Sequence, residues 1–345
     1  MPLDRASFGG ALRLDSHVDI PWPSRGDFLS ESARCVDLPK LQRGGVNAVC
    51  FAAYVPQERR DAEGHQRAAA RSLAMLDEIR AMGAVAGTAL ARSTDDIRAA
   101  VQRGAIAVIP AVENGTGLGG DPALLDRYAA LGVRYMTLTH NGHNDLADSA
   151  IPRRDLGDAS SEHGGLSALG RSVIQRMNQL GILVDVSHAS KSSMMQAVAL
   201  SIRPIVATHS CARALCNHPR NLDDEQLFAL RDHGGVVQVT MVSTFLRAGA
   251  RTADIGVEVL VDHIDYIINL IGIDHVGIGT DFDGGGMLRG CGNAAEAPAI
   301  TAELVRRGYG EEAIEKIWGG NFLRALAASE PDRAEKITAP ASGIG

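Results

Sequence analysis

Short β-branched runs alternate with longer stretches of helical period along the whole chain, and that alternation predicts repeated βα units around a parallel sheet. Eight runs stand out, at residues 11–15, 46–53, 105–112, 133–139, 182–187, 204–208, 235–241 and 275–280. Between them lie helix-like stretches near 65–82, 122–131, 166–180, 191–201, 223–233 and 257–271. An additional apolar run at 84–90, followed by a short helix at 94–102, reads as an insertion in the second βα connection, and a last helix at 311–328 closes the outer layer. Eight principal runs favour a (β/α)8 TIM barrel of the α/β class over an open doubly wound sheet. No Ser/Gly linker divides the sequence, so its 345 residues read as one barrel domain, residues 1–345, with a core at about 11–328 and a short C-terminal tail.

Composition narrows the partners. A net charge of -7 without a clustered basic face argues against nucleic acid. No apolar run approaches the ~20 residues of a membrane span, and neither end carries a leader or anchor signal, so the expectation is a cytoplasmic protein that does not engage a membrane. The five cysteines, Cys35, Cys50, Cys211, Cys216 and Cys291, are widely spaced and form no C-x-x-C pair, which predicts plain thiols.

Metal-compatible and acid-base side chains recur where the runs stop. His17 and Asp19 follow the first run, Glu113 the third, His140 the fourth, His188 the fifth, His209 the sixth and Asp281 the eighth. A parallel barrel places its chemistry at the C-terminal rim of the strands, so residues at several strand ends read as one shared site. Imidazole nitrogen and carboxylate oxygen are ligands for Zn²⁺ and similar divalent ions. One amidohydrolase pattern opens with His-x-His and bridges two metals through a carbamylated lysine. This chain has His-x-Asp, and none of its four lysines stands at a strand end. If two metals are present a carboxylate must bridge them, and Glu113 is the candidate.

The segments Asp15-Ser16-His17-Val18-Asp19-Ile20-Pro21-Trp22, Val112-Glu113-Asn114-Gly115, Leu138-Thr139-His140-Asn141, the stretch from Gly181 to Ser190 and Gly279-Thr280-Asp281-Phe282-Asp283-Gly284 resemble, in order, the motifs of the membrane (renal) dipeptidases, peptidase family M19. The resemblance spans roughly residues 12–327. It implies a metal-dependent hydrolase with two Zn²⁺: His17 and Asp19 on one ion, His188 and His209 on the other, Glu113 bridging, and a hydroxide shared between them. It further implies that His140 contacts the substrate carbonyl, that Arg220 in His218-Pro219-Arg220-Asn221 binds the terminal carboxylate of a small dipeptide, and that Asp281 is the acid-base group. L,L- and L,D-dipeptides are the implied substrates, and a homodimer is implied by the family alone. The loop after the seventh run, Val242-Ser243-Thr244-Phe245-Leu246, finds no match.

Rival readings are weaker. A binuclear amidohydrolase acting on N-acyl amino acids, cyclic amides or lactones keeps the metal site but changes the reaction. A metal-storing barrel needs neither Asp281 nor His140. The segment Gly115-Thr116-Gly117-Leu118-Gly119-Gly120 satisfies G-x-G-x-x-G but lies in the third βα unit, with no acidic residue about 20 positions on. The triplet Gly284-Gly285-Gly286 reads as flexible access beside Asp281. His65, His143, His163, His218, His233, His263 and His275 read as surface or capping residues, with His143 the one to watch because it follows His140 by three. Asp185 and Asp283 are candidate orienting partners for the histidines.

Overall fold

The computed structural model describes residues 11–23 and 27–331. Its strands are β1 (Leu14–Asp19), β2 (Ala48–Tyr54), β3 (Thr88–Leu90), β4 (Ile106–Glu113), β5 (Tyr135–Thr137), β6 (Leu183–Asp185), β7 (Ile205–Ala207), β8 (Val236–Val239) and β9 (Val276–Ile278). All pair in parallel in the order β1-β2-β4-β5-β6-β7-β8-β9. The circle closes just beyond β9, where Asp281 N donates to His17 O at 3.0 Å and Asp19 N to Phe282 O at 3.0 Å. Eight strands with helices outside them make the expected (β/α)8 barrel.

The additional run at 84–90 becomes β3, which pairs with the first half of β4, Thr88 opposite Ile106 and Leu90 opposite Val108. Strand β5 meets β4 only from Ala111 onward, so β3 covers a stretch of edge that β5 leaves open. The first run is displaced from its expected place: the strand spans Leu14–Asp19 and not 11–15, so His17 and Asp19 lie within it. Asp15, Ser16 and His17 are buried, and each finds a partner across the barrel. Ser16 Oγ donates to Thr208 O at 3.0 Å and lies 3.1 Å from Ile278 O.

The expected helices appear as Ala62–Met82, Leu124–Leu131, Ala168–Leu180, Lys191–Leu200, Asp224–Asp232 and Val257–Ile271. Asp61, Ser167, Ser190 and Asp223 accept from backbone N–H groups at four of their N-termini. Three helices escaped the periodicity, Leu38–Gly44, Ser243–Leu246 and Pro298–Arg306. The helix expected at 311–328 is interrupted: Glu311–Glu315 and Asn321–Ser329 flank a wide turn in which Gly319 takes φ 132°. A Cβ on Gly319 would stand 2.5 Å from Leu14 Cβ, so the close approach of this turn to β1 requires glycine.

Alternate residues of the strands divide the core. Ala48, Cys50, Ala107, Ile109, Tyr135, Val206 and Val236 pack inside the barrel with Phe322 and Leu326 of the last helix, which stops its lower mouth. Val49, Phe51, Val108, Val112, Val184 and Val237 face the helical layer. All five cysteines are free, and among the described residues no helix is long and apolar enough to cross a membrane. The short C-terminal tail expected beyond the core lies mostly outside the described residues.

Candidate metal centre

The C-terminal rim gathers the predicted residues. His17 and Asp19 come from β1 and Glu113 is the last residue of β4. His140, His188, His209 and Asp281 stand in the loops directly after β5, β6, β7 and β9, while Arg220 reaches in from the longer loop after β7. Four non-glycine residues among those described have positive φ, and all four lie on this rim: Asn114 at 83°, His188 at 65°, Asp281 at 62° and Asp283 at 62°. Backbone held in that region costs free energy and persists where the surroundings fix it. Gly284 belongs to the same constraint, since a Cβ there would meet Asp281 Oδ1 at 2.3 Å and Asp19 Oδ2 at 2.7 Å.

Glu113 is at the centre. Its Oε1 lies 3.1 Å from His188 Nε2, 3.4 Å from His209 Nε2 and 4.0 Å from His140 Nε2. Its Oε2 lies 3.8 Å from His17 Nε2, which is also 3.6 Å from Asp19 Oδ1 and 3.9 Å from Asp281 Oδ1. Two ligand triads share this one carboxylate, His17 with Glu113 and His209, and Glu113 with His140 and His188. His17 Nε2, His209 Nε2 and Asp19 Oδ1 are buried and lack hydrogen-bond partners. Buried polar atoms are rarely left in that state, and bound cations would satisfy them.

The outer faces of the rings are fixed. Thr208 Oγ1 donates to Asp185 Oδ2 at 2.7 Å and therefore accepts from His209 Nδ1 at 3.0 Å, which leaves the Nε2 lone pair turned toward Glu113. His17 Nδ1 lies 2.7 Å from the Tyr135 hydroxyl, and His188 Nδ1 lies 3.1 Å from Asn141 Oδ1. Burial, together with the charge of Arg220, holds His188 and His140 below the ordinary imidazole value, His140 at about 3, and burial with neighbouring positive charge does the same for His209. All three rings are therefore neutral, and His188 and His209 can act as lone-pair donors. Burial also lowers His17, but Asp19, Glu113 and Asp281 outweigh it and push the ring up to about 10. That carboxylate field favours a positive charge at this position. Burial raises Asp281 to about 7 against the opposing pull of His17.

Arg220 is 3 % exposed, with Nη2 3.3 Å from His209 O and its Nε unpartnered. The loop that found no match in sequence supports it. Arg220 Cζ lies 5.4 Å from the Phe245 ring centroid, and Asn221 Nδ2 donates to Phe245 O at 2.7 Å. Phe245, Tyr135, Thr208 and Tyr54, whose ring packs 4.7 Å from that of His140, escaped sequence reasoning. Only position could have flagged them: Tyr54 and Thr208 adjoin the ends of predicted runs.

Other expectations change. His143 accepts from Ser149 N at 3.0 Å and its Nε2 faces Ala159 O at 3.1 Å, so both ring nitrogens serve the loop. His263 is buried and not a surface residue, bonded to Ala212 N at 3.1 Å and Leu246 O at 3.0 Å. Asp185 reaches His209 through Thr208, whereas Asp283 touches no histidine. Its oxygens accept from Cys35 N at 2.7 Å and Val36 N at 3.1 Å.

A (β/α)8 barrel with imidazoles and carboxylates converging on its C-terminal rim is the architecture of the metal-dependent amidohydrolases. Within that class the chain belongs to the membrane dipeptidase family, peptidase family M19, whose pattern matches residues 11–339. It is 32% identical to dipeptidase verJ of Clonostachys rogersoniana over 336 residues, covering 92% of this chain and 84% of that one. Among solved structures it resembles the probable dipeptidase PvdM from Pseudomonas aeruginosa, with 30% identity, a TM-score of 0.88 and coverage of 92% and 95%. It also resembles a metallo peptidase from Rhodobacter sphaeroides solved with a phosphinate mimic of L-Ala-D-Ala, with 27% identity, a TM-score of 0.81 and coverage of 93% and 99%. The chain is a dipeptidase of a metallopeptidase family.

Proposed function

We propose that the chain hydrolyses the peptide bond of small L,L- and L,D-dipeptides with two zinc ions, His17 and Asp19 holding one, His188 and His209 the other, and Glu113 both. The observation that carries this reading is the division of the Glu113 carboxylate, with Oε2 toward His17 and Oε1 toward His188 and His209. Two divalent cations on these ligands would lower the pKa of a shared water, supply hydroxide near neutral pH and stabilise negative charge on the scissile carbonyl oxygen.

The remaining work falls to the chain's own groups. Asp281, held at φ 62° with its carboxyl raised to about 7, accepts a proton from the attacking water and delivers it to the leaving amine. His140, neutral and with Nδ1 3.5 Å from the Tyr54 hydroxyl, presents Nε2 to the substrate carbonyl. Arg220 offers a planar fork to the C-terminal carboxylate and so measures substrate length from that end. The D-Ala of the mimic in the Rhodobacter sphaeroides relative supports tolerance of a D-residue there.

The test is metal content per chain together with hydrolysis of a dipeptide panel before chelation, after it, and after zinc return. About two metals per chain and zinc-reversible cleavage are expected. Cleavage of tetrapeptides as fast as dipeptides would overturn the role of Arg220.

A further inference from the structure

We propose that the cavity beside Asp19 is a cationic subsite that selects dipeptides whose amino-terminal residue carries a carboxylate side chain; this rests on the dipeptidase reading above. The cavity has a volume of about 330 Å³ and is lined by Asp19, Trp22, Arg34, Tyr54, Arg71 and Asp283, among others. Arg34 is 3 % exposed, yet its Nε and Nη2 are buried without an acceptor. Its guanidinium meets the Phe28 ring at 5.9 Å, and no carboxylate among the described residues makes ion-pair contact with it. A charge taken out of water in this way is costly unless a counter-charge arrives.

Arg71 adds a second guanidinium. Its Nε donates to Tyr54 O at 3.1 Å and its Cζ lies 5.9 Å from the Tyr54 ring centroid, again without an ion-pair partner among the described residues. The carboxylates on the wall are engaged elsewhere. Asp283 feels Arg34 through space, but its oxygens accept from Cys35 N and Val36 N and so fix the segment that carries Arg34. Asp19 is a proposed metal ligand. The cavity is therefore flanked by two guanidinium groups that no carboxylate among the described residues pairs, which is the complement of a carboxylate.

The substrate's polarity fixes which residue enters. With the terminal carboxylate on Arg220, beside His209, and the amide over Glu113, the amino-terminal residue extends toward Asp19 and Tyr54. A water occupies roughly 30 Å³ of liquid, so the cavity accepts a propionate side chain with several waters. A lysine side chain also fits by size, so charge and not volume discriminates.

The zinc-loaded enzyme is assayed with L-Glu-L-Ala, its neutral isostere L-Gln-L-Ala, L-Ala-L-Glu and L-Ala-L-Ala. We expect kcat/KM for Glu-Ala to exceed that for Gln-Ala by about tenfold or more, the effect of a charge-assisted hydrogen bond. Arg34→Gln should bring the ratio toward one, and Arg71→Gln, at a half-buried position that tolerates change better, should lower it several-fold. A wild-type ratio near one overturns the subsite while Ala-Ala turnover leaves the dipeptidase reading standing. A ratio unmoved by either substitution in folded protein also overturns it, as does an Arg34-dependent preference for Ala-Glu. Failure to cleave any of the four overturns the dipeptidase reading and this inference together.

Discussion

Thr280 joins the last strand of the barrel to the first through Asp15: its Oγ1 donates to Asp15 Oδ2 at 2.6 Å and its N to Asp15 Oδ1 at 3.0 Å. The same Oδ1 lies 3.2 Å from His17 N, and Thr280 Oγ1 accepts from Phe282 N at 3.1 Å. One buried pair thus sets the height of His17 on one side of the seam and of Asp281 on the other. Thr280→Val keeps the shape but leaves a buried carboxylate oxygen without its donor. The expected loss is about 2 kcal/mol in urea unfolding of the metal-free protein, with Thr280→Ser restoring most of it.

The proposed acid-base role of Asp281 can be tested apart from metal binding. In Asp281→Asn the residue keeps its volume and its backbone position but can no longer exchange the proton. We expect dipeptide kcat to fall by about 10²- to 10⁴-fold, with metal content per chain preserved. A parallel loss of metal would instead make Asp281 a ligand, so elemental analysis accompanies the kinetics.

The Asp185 carboxylate orients His209 at one remove. It accepts from Thr137 Oγ1 at 2.6 Å, Thr208 Oγ1 at 2.7 Å, Thr208 N at 3.0 Å and Ser187 N at 3.0 Å. Asp185→Asn replaces an acceptor pair with one acceptor and one donor, so the Thr208 hydroxyl loses its direction and with it the tautomer of His209. Metal affinity should drop about 10- to 100-fold in competition titrations against a chelator, while circular dichroism shows the barrel intact.

The carboxylate-binding role proposed for Arg220 makes Phe245 a test position for substrate binding. The aromatic face lies under the guanidinium and its backbone holds Asn221, so Phe245→Ala frees the fork without removing its charge. KM for dipeptides should rise about tenfold with a smaller change in kcat, the signature of lost uniform binding. Equal falls in kcat and kcat/KM would place Phe245 in the transition-state contacts instead.

Much of this was legible in the chain because a barrel strand delivers its chemistry at a fixed place, its C-terminal end. His140, His188, His209 and Asp281 follow apolar runs that periodicity marks plainly. His17 and Asp19 were found although their strand was drawn too early, because the burial of Asp15 and Ser16 depends on Thr280, Thr208 and Ile278, residues about 190 to 265 positions away. Such partners leave no local trace. The same holds for Tyr135, an inward strand residue indistinguishable from core, and for Phe245, whose value lies in what it supports. Helices Leu38–Gly44, Ser243–Leu246 and Pro298–Arg306 were missed, and the run that forms β3 was seen but not its pairing along the edge of β4.

Acid stability should report on the loop that frames the rim. Asp148 is buried, which by itself raises its carboxyl, but hydrogen bonds from Ser161 Oγ, Glu162 N, His163 N and Gly165 N outweigh burial and hold it at about 2, below the ordinary 3.8. A depressed carboxyl contributes stability that is fully present above its unfolded value and is lost as pH falls through its folded one. The window is therefore from about pH 4 down to about pH 2. Asp148→Asn should cost about 1–2 kcal/mol near neutral pH, and its stability should vary less across that window than the wild type's. Urea unfolding of both proteins at a series of pH values checks this. Curves that stay parallel from pH about 5 to about 2 would mean that Asp148 keeps an ordinary carboxyl and that the four contacts do not anchor the loop.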